Sequence, residues 1–195
     1  MRMSVVRISP RMGIRRFAIV LLASVALLYS TPATAQSDVE FTVSGTSTIR
    51  GWTCTVTGSA EVTPGSGGAA PGFANGVQAA TLTVPVDAFE CPNEEMTEHL
   101  LTALRPDDFA EITFQLESYE TSRQGAEATG TLTILDSSQP VTFPISLTPS
   151  GPGVEIEGDV QLDMTTYGVE PPVVMLGLMN VRPQIRIQFA GTLSP

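Results

Sequence analysis

Lysine is absent from this sequence of 195 residues, and histidine and tryptophan each occur once. Without lysine the chain has no Schiff-base nucleophile, no P-loop phosphate ligand and no lysine general base. Cysteine occurs only at Cys54 and Cys91, and these two thiols with His99 are too few and wrongly spaced for a zinc site. The inventory therefore argues against several enzyme classes and against a metal centre.

Catalytic groups are also scarce among the residues that are present. His99 falls on the polar side of a predicted helix, where a solvated histidine is expected, and no nucleophile is indicated that it could orient. Glu94, Glu95 and Glu98 form an acidic cluster that the start of a helix explains, since carboxylates stabilise that end. We therefore predict no enzyme activity, no catalytic residues and no cofactor. A reactive, unpaired Cys91 is the feature that would favour an enzyme instead.

Positive charge is concentrated at the start of the chain. Five of the ten arginines lie within the first 16 residues, and the apolar run 17–29 that follows is too short to span a bilayer. Ala33-Thr34-Ala35 then matches a signal-peptidase site. We predict a signal peptide over residues 1–35, a mature domain over 36–195, and a periplasmic or secreted protein. Sec export is favoured, although Arg15-Arg16 leaves the twin-arginine route open.

The predicted mature domain is strongly acidic. It keeps all 20 acidic residues but only five arginines, a formal charge of about −15. Such a surface repels nucleic-acid phosphates and anionic lipid headgroups. We predict no nucleic-acid partner and, since no later apolar run is long enough to cross a bilayer, no stable membrane anchor.

The two cysteines are predicted to form a disulfide. An exported protein enters an oxidising compartment, where a pair of thiols is normally oxidised. Joining Cys54 to Cys91 would stabilise the fold by about 2–4 kcal/mol.

Most of the mature sequence alternates between apolar and polar residues with a period of two, which is typical of strands with one buried face. Turn-forming residues separate these segments, with a long loop at 64–72 and hairpin connections at 122–125 and 149–153. Pro85 and Pro144 cannot donate to a ladder, so we expect each at a strand end, a bulge or a free edge. The predicted strands lie around residues 39–43, 52–56, 82–86, 112–116, 129–135, 141–147, 154–162 and 181–189.

A single helix is predicted between the third and fourth of these strands. Asn93 is a good N-cap, and Pro106 is expected to stop the helix after about three turns. One face is apolar, which indicates that the helix lies across a barrel mouth or packs on an open sheet edge. This face consists of Met96, Leu100, Leu101 and Leu104.

We predict an all-β fold, an eight-stranded antiparallel barrel with one short helix between strands, because closure removes exposed strand edges. An immunoglobulin-type sandwich is the competing architecture, and the long loop and the helix argue against it. A barrel of this size either fills its interior with side chains or holds one small ligand. The pattern leaves that choice open, as it does the role of Trp52 in the core or at a ligand.

Several segments, in order and spacing, resemble the YceI-like, polyisoprenoid-binding proteins of bacterial periplasms. The resemblance covers almost the whole mature chain. Where the family usually has a histidine after the first strand, this chain has Gly45 or Thr46. Where the family usually has an arginine, this chain has Asp163 and Met164. The family's polar contacts to a lipid headgroup are therefore not carried over to this chain. The segments that carry the resemblance are Phe41–Ser47 with Gly51-Trp52, Met96–Leu104, Asp108–Phe114, Gly130–Leu135 with Gln139–Val141, and Leu162–Val169 with Pro171-Pro172.

The resemblance implies an extended lipocalin-like barrel whose interior holds a long isoprenoid chain, such as a quinone tail. Burying such a chain is worth about 0.8 kcal/mol per CH₂ and needs few polar residues. The candidates for lining the barrel around the ligand are Phe41, Trp52, Leu82, Val84, Phe114, Ile134, Phe143, Ile156, Leu162, Met175, Leu178 and Phe189.

The predicted function is periplasmic binding of an amphipathic isoprenoid lipid for transport or storage, so the expected partner is a small apolar or amphipathic lipid. The alternative is a structural or interaction barrel with a solid core and no ligand. Assembly as a monomer or a homodimer is left open.

Overall fold

The computed structural model describes residues 35–65, 68–174 and 178–194. The predicted signal peptide and Met175 lie outside these ranges, so cleavage after Ala35 stays a prediction. The strands are β1 (Ala35–Ser47), β2 (Gly51–Pro64), β3 (Val77–Pro85), β4 (Glu111–Thr121), β5 (Gly125–Ile134), β6 (Ser137–Ser150), β7 (Gly153–Asp163), β8 (Val173–Val174) and β9 (Met179–Leu193).

The strands form one antiparallel sheet in the order β1-β2-β3-β4-β5-β6-β7-β9-β8. Because β1 also pairs with β9, the eight long strands close into a barrel, and the two-residue β8 extends β9 at one end. The predicted all-β, eight-stranded barrel is thereby confirmed. Closure gives every long strand a paired neighbour on both sides, whereas a sandwich leaves unpaired edge strands.

The apolar positions of the strands point into the barrel. In β1, Val39, Phe41 and Val43 are buried while Glu40 and Thr42 are more exposed, as the period of two predicts. Pro85 is the last residue of β3, and Pro144 lies just before the β6–β7 ladder, which begins at Ile145. Both prolines therefore occupy the kind of position that their missing N–H group requires.

The helix α1 (Glu94–Leu104) has the predicted start and a different stop. Oδ1 of Asn93 accepts a hydrogen bond from the backbone N–H of Met96 at 2.9 Å, which caps the first turn. The helix ends because Arg105 adopts a left-handed conformation, with φ of 52°, and donates its N–H to the carbonyl of Leu101. Pro106 follows that turn but does not itself break the helix.

The segment between β3 and α1 places the helix over one end of the barrel. β2 pairs with β3 only from Ser59 to Pro64, so the other half of β2 is free to contact this segment. Thr55 and Glu90 exchange two backbone hydrogen bonds of 2.8 Å, and Cys54 and Cys91 form the predicted disulfide. This pair of links anchors the start of α1 to β2. No helix in the described ranges has the length and apolarity needed to cross a membrane.

Candidate functional site

The interior of the barrel contains two apolar cavities. The upper cavity, at the helix end, has a volume of about 120 Å³ and is lined by side chains from all eight long strands and from α1. Its walls include Val43, Val56 and Ile112 on the strands and Leu100 and Leu104 on the helix. Every lining side chain is aliphatic, aromatic or a methionine, so this space favours hydrocarbon.

The lower cavity has a volume of about 90 Å³ and lies toward the opposite end. The loop between β2 and β3 covers it, with Ala70 and Phe73 in its wall. Tyr119 reaches the same loop, where its hydroxyl donates to the carbonyl of Gly68 at 2.7 Å and accepts from the N–H of Val77 at 2.9 Å. The hydroxyl of Tyr119 is therefore already satisfied, and it links β4 to the described part of this loop and to the start of β3.

A layer of phenylalanine rings separates the two cavities. Phe41 contacts Phe189 with ring centroids 5.8 Å apart, Phe189 contacts Phe143 at 5.8 Å, and Phe143 contacts Phe114 at 5.1 Å. Phe114, Phe143 and Phe189, together with Leu82, line both cavities. These four side chains, here called the partition, divide the interior into an upper and a lower chamber.

An open vestibule of about 490 Å³ lies outside the upper chamber, between α1 and the β1–β2 turn. Trp52, Leu100, Met164 and Val169 line both spaces, so the vestibule adjoins the chamber at this neck. The wall of the vestibule is mostly apolar, but unlike the chamber wall it also contains polar and charged residues. These residues are Ser47, Arg50, Asn93, Glu95 and His99.

Trp52 occupies the neck because β1 makes room for it. Gly45 lies directly across the ladder, and a Cβ atom there would lie 2.6 Å from Cζ2 of the indole ring. The indole Nε1 is buried and has no hydrogen-bond partner in the described part of the chain. This nitrogen is packed against Gly45 and is not exposed to the chamber, so Trp52 presents an apolar surface there.

A short 3₁₀ turn, Met164–Tyr167, places Met164 at the same neck. Oδ1 of Asp163 caps this turn by accepting from the N–H of Thr165 at 2.9 Å, and hydrogen bonds from Thr165 lower the pKa of Asp163. Burial beneath the turn raises the pKa of Tyr167. The side chain that this segment contributes to the neck is therefore held by a capped 3₁₀ turn and not by an irregular loop.

Charged pairs lie outside the interior. His99 Nε2 lies 3.7 Å from Oε1 of Glu95 on the vestibule wall. On the outer face of the barrel, Arg186 donates to both carboxylate oxygens of Asp159, and these hydrogen bonds lower the pKa of Asp159. Within the described ranges, no group of three or more Asp, Glu, His or Cys residues is arranged to hold a metal ion.

The comparison with known families agrees with this geometry. The model of the YceI-like domain matches residues 30–193. The chain belongs to the YceI-like family. No curated relative matches the chain.

Solved structures share the YceI-like fold at low sequence identity. Burkholderia cenocepacia BcnA is 18% identical with a TM-score of 0.63, and the match covers 78% of this chain and 95% of that one. A polyisoprenoid-binding domain from Saccharophagus degradans is 10% identical with a TM-score of 0.62, covering 83% and 99%. The YCEI protein of Campylobacter jejuni is 13% identical with a TM-score of 0.52, covering 60% and 72%. Identities this low establish the fold alone.

Most residues that the sequence nominated for the lining of the YceI-like barrel do meet in its interior. Ile156 lines only the lower chamber, and Leu162 packs against the core without lining either chamber. Those that line the upper chamber are Phe41, Trp52, Leu82, Val84, Phe114, Ile134, Phe143 and Phe189.

The structure corrects the prediction that Leu178 lines the barrel. Its side chain is 72% exposed at the start of β9, beside the β1–β2 turn, where the carbonyl of Leu178 accepts from the hydroxyl of Thr48 at 3.2 Å. It lies at the barrel rim because it precedes β9, which begins at Met179 and pairs with β1 only from Val181 onward. Its hydrophobicity alone could not distinguish a rim residue from an interior one.

The sequence did not nominate the helix as part of the cavity wall. Leu100 and Leu104 line the upper chamber, and Leu100 with Met96 also lines the vestibule. The signal was present in the apolar face of α1, which predicted that the helix packs on the barrel. That face left open whether α1 lies across a barrel mouth or packs on an open sheet edge, and the structure places it at the mouth.

Proposed function

We propose that this YceI-like barrel binds an amphipathic isoprenoid lipid, with the apolar tail inside the barrel and the polar head in the vestibule. One observation carries this proposal: a chamber with entirely apolar walls adjoins a wider vestibule whose mostly apolar wall also carries polar and charged side chains. That change of polarity along one path matches the two ends of such a lipid. A quinone is one member of this class.

The energetics favour a hydrocarbon tail. Moving a CH₂ group from water into apolar surroundings contributes about 0.8 kcal/mol, and the chamber offers no hydrogen bond that a polar tail would need. A chamber of about 120 Å³ is close to the size of engineered apolar cavities that hold one benzene. The Saccharophagus degradans domain with the same fold is described as polyisoprenoid-binding, which supports the same ligand class here.

The compartment is part of the proposal. The arginine-rich start, the apolar run and the Ala33-Thr34-Ala35 site support export to the periplasm or beyond, where the protein would transport or store its lipid. The disulfide between Cys54 and Cys91 supports an oxidising compartment. Amino-terminal sequencing of the exported protein is expected to begin at Gln36, and a retained amino terminus in the cytoplasm would contradict the proposed location.

Native mass spectrometry of protein purified from its own host tests the ligand. We expect a co-purifying mass that organic solvent releases and that fragments as a prenyl chain. Val141→Phe adds a ring in the upper chamber and should reduce the bound fraction, whereas Val173→Phe, at a side chain 64% exposed on β8, should leave it unchanged. Equal retention in both variants would place the lipid outside the barrel.

A second candidate function is a structural or interaction barrel without a ligand. The phenylalanine layer favours it, since four rings already fill the middle of the interior and leave only the two small chambers. Under this alternative no lipid co-purifies, and an apolar fluorescent probe added to the lipid-free protein gains no emission. Saturable enhancement that Val141→Phe abolishes would exclude it.

A further inference from the structure

Two exposed aliphatic side chains lie at the mouth end of the barrel, beside the vestibule. Ile49, in the β1–β2 turn, is 62% exposed and forms part of the vestibule wall. Leu178, just before β9, is 72% exposed. Single apolar residues are common on protein surfaces, but two that are held together beside a ligand entrance indicate a contact surface.

Hydrogen bonds hold the β1–β2 turn and the start of β9 together. The hydroxyl of Thr48 donates to the carbonyl of Leu178 at 3.2 Å and accepts from the N–H of Asn180 at 3.2 Å. The backbone N–H of Thr48 donates to the carbonyl of Asn180 at 3.0 Å. Both aliphatic side chains are thus presented by a preformed surface, which loses little conformational freedom on contact.

The same surface is basic, although the chain as a whole is acidic. Arg50 follows Ile49 in the turn, Arg182 lies near the start of β9, and both arginines are exposed. Residues 41–60 and 171–195 contain none of the 20 acidic residues. Exposed aliphatic groups and uncompensated arginines therefore occur together at one edge of the vestibule. We call this surface the tip, and it consists of Ile49, Arg50, Leu178 and Arg182.

We propose that the tip docks the barrel on the surface of a phospholipid bilayer, with the vestibule facing the membrane that supplies or receives the lipid. This inference rests on the proposed function and adds the partner of that site. In such a contact the aliphatic side chains enter the boundary between headgroups and acyl chains, while the arginine heads stay at the level of the phosphates. The ligand then passes between bilayer and vestibule beside Ile49.

The charge distribution orients this contact and keeps it weak. The predicted mature chain has a formal charge of about −15, so anionic headgroups repel most of its surface and attract only the tip. Salt screens charges beyond roughly 8 Å at physiological ionic strength, so the arginines nearest the phosphates dominate. Glu95 lies on the α1 side of the vestibule, which turns that side away from the membrane. The contact is therefore reversible, as delivery of a lipid requires.

Co-sedimentation with vesicles tests the proposal. One set of vesicles is phosphatidylcholine alone, and the other is phosphatidylcholine mixed with phosphatidylglycerol. The variants are Leu178→Ser and Arg182→Gln, neither of which alters the lining of a chamber or of the vestibule. Arg123→Gln, in the β4–β5 turn at the other end of the barrel, is the matched control for charge.

We expect the native protein to bind both kinds of vesicle. Leu178→Ser should weaken binding to both by about tenfold, because it removes an inserted aliphatic group. Arg182→Gln should weaken binding by about fivefold only where phosphatidylglycerol is present, and Arg123→Gln should change neither. All three variants should retain the fluorescence enhancement of the apolar probe, because the interior is unaltered.

Equal vesicle binding by the native protein and Leu178→Ser, or no binding by the native protein, would overturn the docking surface. Analytical ultracentrifugation without vesicles checks the other occupant. A native dimer that Leu178→Ser converts to a monomer would assign the tip to a second copy of the chain and overturn the membrane contact. The proposed function is tested separately: it fails if the native protein does not enhance the probe, whatever the vesicles show.

Discussion

At the scale of single residues, the interior is shaped by glycines that lie opposite aromatic rings. Gly158 pairs with Phe189 across the β7–β9 ladder, and a Cβ atom at Gly158 would lie 2.1 Å from Cζ of that ring. Gly45 has the same relation to Trp52. The missing side chain lets each large ring lie flat against the barrel wall and occupy the interior.

Gly158→Ala is therefore expected to destabilise the barrel. The ring of Phe189 cannot move aside easily because Phe41 and Phe143 flank it, each with centroids 5.8 Å away. Overpacking of this kind typically costs about 1–3 kcal/mol of unfolding free energy, to be measured by urea denaturation. Gly68→Ala is the control, since a Cβ atom there meets nothing within 4 Å. Equal stability of both variants would show that Phe189 is mobile.

A second residue-scale prediction concerns pH. Hydrogen bonds from Arg186 lower the pKa of Asp159 from its usual 3.8, so the folded state favours the charged carboxylate. Its contribution is complete above the unfolded pKa and is lost as the pH falls through the lower folded pKa. The difference in unfolding free energy between the native protein and Asp159→Asn, small because the pair is exposed, should be complete above pH 3.8 and shrink as the pH falls below that value. Glu155→Gln on the same strand is the comparison, and an Asp159→Asn difference that persists at low pH would contradict the assignment.

At the scale of elements, α1 is the part of the fold that lies between the upper chamber and the vestibule. Its apolar face forms part of the upper chamber, and its polar side forms part of the vestibule. The helix is fixed at its start by the Asn93 cap and by the disulfide from Cys91 to β2. Both anchors act on the same end, so α1 is held over the barrel mouth by its first turn.

Replacing both cysteines with serine tests this anchor. The disulfide closes a loop with a sequence separation of 37 residues, and its loss should lower the unfolding free energy by about 2–4 kcal/mol. Reducing agent should destabilise the native protein by a similar amount and leave the double variant unchanged. The measurement is thermal and urea unfolding with and without reductant. Insensitivity of the native protein to reductant would show that the anchor does not limit its stability.

At the scale of the whole molecule, the partition divides the barrel interior into two separate chambers. Its rings run from Phe189 through Phe143 to Phe114, and the chambers on its two sides measure about 120 and 90 Å³. A short tail fits above the partition, while a longer one must displace a ring to reach the lower chamber.

Phe143→Ala is expected to join the two chambers. Loss of a buried phenylalanine should cost about 3–5 kcal/mol of unfolding free energy. The same change should shift the binding preference toward isoprenoid lipids with longer tails, as measured by displacement of an apolar fluorescent probe. Phe73→Ala, which removes a ring from the lower chamber alone, should be destabilising without extending the preferred tail length. An unchanged length preference in Phe143→Ala would show that the partition does not limit the tail.

The residue patterns predicted much of this fold because they report local physics. The period of two located the strands, and Asn93 located the helix start, since a cap depends only on its own turn. Leu178 was placed wrongly because hydrophobicity does not show whether a residue lies inside a barrel or on its rim. The left-handed Arg105 that ends α1 was also missed, since most residues that adopt this conformation are glycine or asparagine.

By itself, then, the sequence determined the all-β barrel, the position of the helix and most of the interior face, because each depends on spacing along the chain. It also predicted the disulfide, because an exported chain with two cysteines normally pairs them. Only the tertiary structure decided that the interior is divided by a phenylalanine layer, that α1 lines the upper chamber and that the N–H of Trp52 is buried with no acceptor among the described residues. These features depend on which side chains from distant strands meet across the barrel. Barrel closure determines which side chains are in contact, and no local sequence pattern predicts those contacts.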